Sequence, residues 1–96
     1  MTSKQRAYLR SMANHTTAIF QIGKSGLVDN HIKQINDALE ARELIKLSVL
    51  ETADLTAKEL APKIANLTNS VVVQTMGNKI TLFRQKKKDS KIQLPK

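Results

Sequence analysis

Gly23-Lys24-Ser25-Gly26 is the stretch whose residue types could best grip a ligand. Glycines at both ends let the backbone pass close beneath a phosphate, with no Cβ to hold it away. Lys24 adds a cation and Ser25 a hydroxyl donor. The loop falls between a strand-like run and a helix-like run, and a helix start offers free N–H groups and a positive dipole end to an anion. A nucleotide-binding phosphate loop of the Walker type is excluded, because position 18, where that motif needs its leading glycine, is Ala18. A GxxG turn opening a helix is, however, the device with which KH-type modules clamp an RNA backbone.

Charge supports a polyanionic ligand. The 96 residues carry a net charge of +8, and its distribution says more than the sum. Residues 1–26 hold Lys4, Arg6, Arg10 and Lys24 with no acid, and residues 84–96 hold Arg84, Lys86, Lys87, Lys88, Lys91 and Lys96 against Asp89. Basic and acidic residues nearly cancel in the middle, so the two ends supply the whole excess. Lys86-Lys87-Lys88 can add counterion-release affinity without sequence preference. Tyr8, between Arg6 and Arg10, could stack on a base.

Other chemistry finds little support. His15 falls in a turn and His31 on the polar side of a helix, both read as solvated. Without cysteine there is neither a disulfide framework nor a thiolate zinc site, which fits a reducing compartment and a cytoplasmic location. Scattered carboxylates offer no metal ligand set. Glu40 and Glu43 read as a solvated helix end around Arg42 rather than an acid–base pair. The expectation is a non-enzymatic binding protein, with no cofactor, metal, membrane partner or small-molecule substrate, acting as a monomer. Three aromatic residues are too few for the exposed stacking platform of an RRM.

The elements that must position these residues follow from periodicity. Ser3 could cap a helix over 3–13 with Ala7, Leu9 and Met12 on one face, and residues 17–22 read as a strand. Val28, Ile32, Ile35 and Leu39 recur at helical spacing, and Ile45, Leu47 and Val49 alternate along a second strand. Thr56 and Glu59 form a capping box before Leu60, Ile64 and Leu67, with Pro62 in the second turn. Strands opening at Val71 and at Lys79 flank a Gly77-Asn78 turn. The order α-β-α-β-α-β-β implies an α+β fold, an open sandwich with helices over a small four-stranded mixed sheet. A domain over 1–85 and a basic C-terminal tail over 86–96 are expected, with Ile92 and Leu94 as the tail's only apolar docking residues.

Ile22-Gly23-Lys24-Ser25-Gly26-Leu27, then a helix, then Glu43-Leu44-Ile45-Lys46-Leu47, resembles the CRM domain (chloroplast RNA splicing and ribosome maturation). Gln74 to Arg84 resembles that domain's closing hairpin, where an apolar strand ends in aromatic-arginine. Lys91-Ile92-Gln93-Leu94-Pro95-Lys96 is similar to the end of bacterial YhbY-like proteins, which are stand-alone CRM domains. Phe83 departs from the pattern, since many members carry tyrosine there. The resemblance implies a fold like the C-terminal domain of bacterial translation initiation factor three. It also implies binding to ribosomal RNA in precursors of the large subunit, as an assembly factor. On this chain the family's RNA-contacting positions become Gly23, Lys24, Ser25, Gly26 and Arg84. Lys4, Arg6, Arg10 and Lys86–Lys88 are added from charge mapping. An alternative is a ribosome-associated protein-interaction module whose basic ends serve only for attraction. Duplex DNA is disfavoured because no major-groove reading helix is evident.

Overall fold

A computed structural model describes residues 1–23, 29–88, 90 and 92–95. The elements run α1 (Ser3–Ala13), β1 (Phe20–Ile22), α2 (Asp29–Arg42), β2 (Leu44–Val49), α3 (Ala57–Thr68), β3 (Val71–Met76) and β4 (Lys79–Phe83). The strands form one sheet in the order β1-β2-β4-β3. β1 pairs with β2 in parallel, and the other two pairings are antiparallel. This is the α+β arrangement that the periodicity implies.

Alternation along β2 divides the core. Ile45, Leu47 and Val49 join Ile22, Ile80 and Leu82 against Ile35, Leu39, Leu60 and Ile64 of α2 and α3. The opposite face presents Leu44, Lys46 and Ser48, and its apolar end packs with Leu9, Val73, Phe83 and Ile92. α2 and α3 therefore cover one face, while α1 and the C-terminal segment cover part of the other. Phe83 sits in that second cluster, 3% exposed.

Several local expectations shift. The first cap is Thr2 rather than Ser3. Its hydroxyl accepts from the Gln5 N–H, and the Gln5 side chain accepts from the Thr2 N–H, because the box needs its glutamine three residues on. Leu9 and Ala13 face the sheet, and Ala7 falls on the exposed side of α1. β1 is shorter than 17–22, since pairing to β2 begins only where the Ile19 N–H reaches the Lys46 carbonyl. In α3 the buried arc passes through Ala57, Ala61, Ile64 and Thr68, which leaves Leu67 at its margin, 57% exposed. Pro62 is accommodated on the exposed side without interrupting α3.

Glu43 departs furthest from expectation. It is 1% exposed, not solvated, and takes a left-handed φ of 67°. A single residue joins α2 to β2, so the reversal that glycine usually makes past a helix end falls on this glutamate. The turn pulls its side chain inward, where the carboxylate accepts from the Lys86 N–H, the Ser90 hydroxyl and the Ile92 N–H at 3.0, 2.7 and 3.3 Å. Beyond Gln85, Lys86, Ser90 and Ile92 are thus bound to the domain by hydrogen bonds, with Ile92 also in the core.

Candidate functional site

The expected basic residues do not converge on one point. Gly23 follows Ile22, which pairs with Val49 at the C-terminal end of β2. Arg84 follows Phe83, which pairs with Leu44 at the opposite end. The glycine loop and Arg84 are therefore attached at opposite ends of the sheet. Lys24, Ser25 and Gly26 themselves lie outside the described residues. Gly23 is half-buried, with Leu50 and Thr52 as its neighbours.

Two of the expected arginines have internal partners. The Arg6 guanidinium donates to the carbonyls of Val72 and Val73, where β3 is bulged against β4. It thereby ties α1 to an edge strand. Arg84 donates to the Asn36 side chain (2.8 Å), the Thr68 carbonyl (2.6 Å) and the Asn36 carbonyl (3.1 Å), and pairs with Glu40 at 3.2 Å. It fastens the C-terminal end of α3 to α2, with its side chain only 21% exposed. Lys4, Arg10, Lys87 and Lys88 are exposed, and Lys86 is half-buried.

Charge counting missed a pair that strand alternation reveals. Lys46 and Lys79 lie on the α1 side of the sheet, beyond the apolar patch. One rank of paired positions there runs Gln21, Ser48, Lys79 and Met76, and the adjacent rank holds Lys46, Thr81 and Gln74. Ser48 and Thr81 are 4% and 1% exposed, so the lysine stems lie over the sheet where a helix would otherwise sit. Each ammonium makes one internal bond, Lys46 to the Ala13 carbonyl and Lys79 to the Ser48 hydroxyl, both at 2.6 Å. Two donors per lysine remain, and among the described residues neither is paired with a carboxylate. Arg10 lies one helical turn beyond Arg6 on α1. The result is a polar, cationic strip that ends beside the start of the glycine loop. The sequence signal was available in Ile45-Lys46-Leu47 and Lys79-Ile80, whose lysines must point away from the main core.

A second basic feature lies at the far end. A cleft of about 820 Å³ is lined by Leu39, Glu40, Asn69 and the run Arg84 to Lys88. Among the described residues no group of histidine, cysteine and carboxylate side chains could hold a metal ion. No helix there is long and apolar enough to cross a membrane.

Residues 1–84 match the family model of the CRS1 / YhbY (CRM) domain. The chain belongs to that family. It is 48% identical over 95 residues to the Bacillus subtilis protein named "Probable RNA-binding protein YqeI", with 99% of both chains covered. A Haemophilus influenzae relative named "RNA-binding protein" is 31% identical, covering all of this chain and 96% of its own. The solution structure of "hypothetical protein SAV1595" from Staphylococcus aureus superposes with a TM-score of 0.83 at 47% identity, covering 99% of each chain. The CRM fold and the element order expected from the resemblance are thereby established.

Proposed function

We propose that this CRM domain binds RNA without catalysing a reaction, and that the strip of Lys46 and Lys79 forms its main contact surface. The observation that carries the reading is that strip: two lysines with spare donors on a strand face where, among the described residues, neither has a carboxylate partner, ending beside Gly23. Ammonium donors on a sheet suit phosphate oxygens and carry no base preference by themselves. Arg10 extends the surface along α1, and Lys24, Ser25 and Gly26 would add the family's backbone grip. The names of the relatives support RNA as the ligand. The family resemblance favours ribosomal RNA in large-subunit precursors, with the chain acting as a monomeric assembly factor in the cytoplasm. Crosslinking in cells, followed by sequencing of the bound sites, tests that finer assignment. Recovery of mainly messenger RNA would overturn it.

The surface itself is tested by Lys46→Gln with Lys79→Gln, set against Lys33→Gln with Lys58→Gln. Both pairs remove the same charge, and the second pair lies on exposed helix positions. The strand pair should bind single-stranded RNA more weakly than the helix pair. It should also lower the slope of log affinity against log salt by about 1.4, at ~0.7 per lost phosphate contact. Equal losses from both pairs would show attraction by net charge alone.

A further inference from the structure

We propose that the Lys86-Lys87-Lys88 run is a second, separate RNA-phosphate site, so that one CRM domain holds two RNA segments at once. The inference rests on the RNA-binding reading above and adds a distinct location and valence.

The first observation is that these lysines are displayed on a pinned loop. The Arg84 N–H bonds to the Glu43 carbonyl, and the Lys86 N–H bonds to the Glu43 carboxylate. Past the lysines, the Ser90 hydroxyl and the Ile92 N–H return to the same carboxylate. The Gln85 side chain also donates to the Ile92 carbonyl, and that of Gln5 to the Pro95 carbonyl. Glu43 therefore fastens both ends of a short excursion that opens with Lys86, Lys87 and Lys88 and in which Asp89 follows them. A phosphate reaching them meets a pre-ordered array and bears less of the ordering cost than it would on a free tail.

The second observation is the shape and placement of that array. Lys86, Lys87 and Lys88 line a cleft whose acidic lining residue, Glu40, already pairs with Arg84. Arg84 braces the cleft wall through Asn36 and Thr68, which leaves Lys86, Lys87 and Lys88 as the cations of the described lining whose ammonium groups are not held by a protein acceptor. Along β4 even the nearer row of the strip, Lys46 with Thr81, stands about 10 Å from Arg84 at roughly 3.4 Å per residue. That exceeds the Debye length of about 8 Å at physiological salt. The two patches also differ in side: Lys79 lies on the α1 face, whereas the cleft is walled by α2 and by Asn69 past the end of α3. Two screened patches on different sides of a small domain act as two sites.

Native mass spectrometry with a short single-stranded RNA oligonucleotide reads the valence directly. The wild-type chain should appear with two oligonucleotides bound. Replacing Lys86, Lys87 and Lys88 with glutamine should remove one of them, as should Lys46→Gln with Lys79→Gln. A charge-matched control replacing Lys33, Lys58 and Lys63 should retain two. Wild type with only one oligonucleotide, or a Lys86–Lys88 variant that still carries two, would overturn the second site and leave the RNA-binding reading standing. Wild type with none would remove the RNA-binding reading itself. Thermal melting of each variant checks that the substitutions leave the fold intact, above all at half-buried Lys46, Lys79 and Lys86.

Discussion

The two faces of the sheet are built differently. Among the described residues, twelve buried ones form one continuous cluster on the α2/α3 face, in which strand alternation and helical spacing interlock. On the α1 face the corresponding cluster has five, and two of them, Leu9 and Ile92, come from terminal segments outside the sheet. The rest of that face is occupied by Lys46 and Lys79 over buried Ser48 and Thr81. The α2/α3 face thus carries most of the hydrophobic stabilisation. The other face is closed only as far as the terminal segments reach, and its remaining area is mostly polar, with Met76 exposed on the edge strand.

This contrast predicts unequal costs for equal truncations. Leu47 is fully buried in the larger cluster, and Leu47→Ala should cost about 3 kcal/mol, within the range for a deeply buried leucine. Ile92→Ala removes a side chain of similar size, but from a chain-terminal segment beside a smaller cluster, and should cost about 2 kcal/mol. Urea titrations of both variants check the order. Equal losses would mean that the two faces contribute alike and that the C-terminal segment is as integral as the central strand.

Legibility in the sequence follows the same division. The α2/α3 face could be read because its pattern is local: Ile45, Leu47 and Val49 alternate, and Ile35 and Leu39 keep helical spacing. The α1 face depends on distant partners. Nothing near Arg6 signals that it will bind strand carbonyls, and nothing near Arg84 signals Asn36 or Thr68. Counting cations treats Arg6 as available and the family pattern does the same for Arg84, while both guanidinium groups bind protein acceptors. Lys46 and Lys79 escaped the count for the opposite reason, since they lie in the region whose charges cancel. Glu43 was legible only through the missing linker: a helix running into a strand across one residue needs a left-handed turn there. Ile92 and Leu94 stood out in the C-terminal run as the apolar residues able to dock, and both pack at the second cluster.

A smaller effect is expected at the start of α3. Thr56→Ala removes the hydroxyl that accepts from the Glu59 N–H and should lower stability by about 1 kcal/mol, as for a typical N-cap. The Glu59 carboxyl is held below its ordinary value, first by the Thr56 backbone N–H, then by its hydroxyl, with Lys63 assisting. Its contribution is therefore present above the unfolded carboxylate range and is lost as pH falls through the lower folded value. In Thr56→Ala the backbone donor survives and the hydroxyl does not, so the acid-side decline should shrink without vanishing. Melting temperatures across the acid range, wild type against variant, measure this. An unchanged decline would assign the whole effect to the backbone bond.

The smallest stability effect is expected at Gly23, where the glycine loop meets the cationic strip. Among the described glycines only Gly77 takes a left-handed φ, at +58°, in the turn between β3 and β4. A Cβ on Gly23 would stand 3.4 Å from Leu50 Cδ1 and 3.6 Å from Thr52 Oγ1, which is ordinary contact. Leu50 is 38% exposed and has room to adjust. Gly23→Ala should therefore change stability by no more than about 0.5 kcal/mol, whereas Gly77→Ala places a Cβ in strained backbone and should cost more. That near-neutrality makes Gly23→Ala a clean probe of binding. If a phosphate approaches the backbone here, the added methyl group should weaken RNA affinity while the melting temperature stays put. Unchanged affinity in a fully folded variant would exclude close backbone approach at Gly23. The interface would then rest on the side chains of Lys46 and Lys79, and the polar half of the α1 face would act without the glycine at its end.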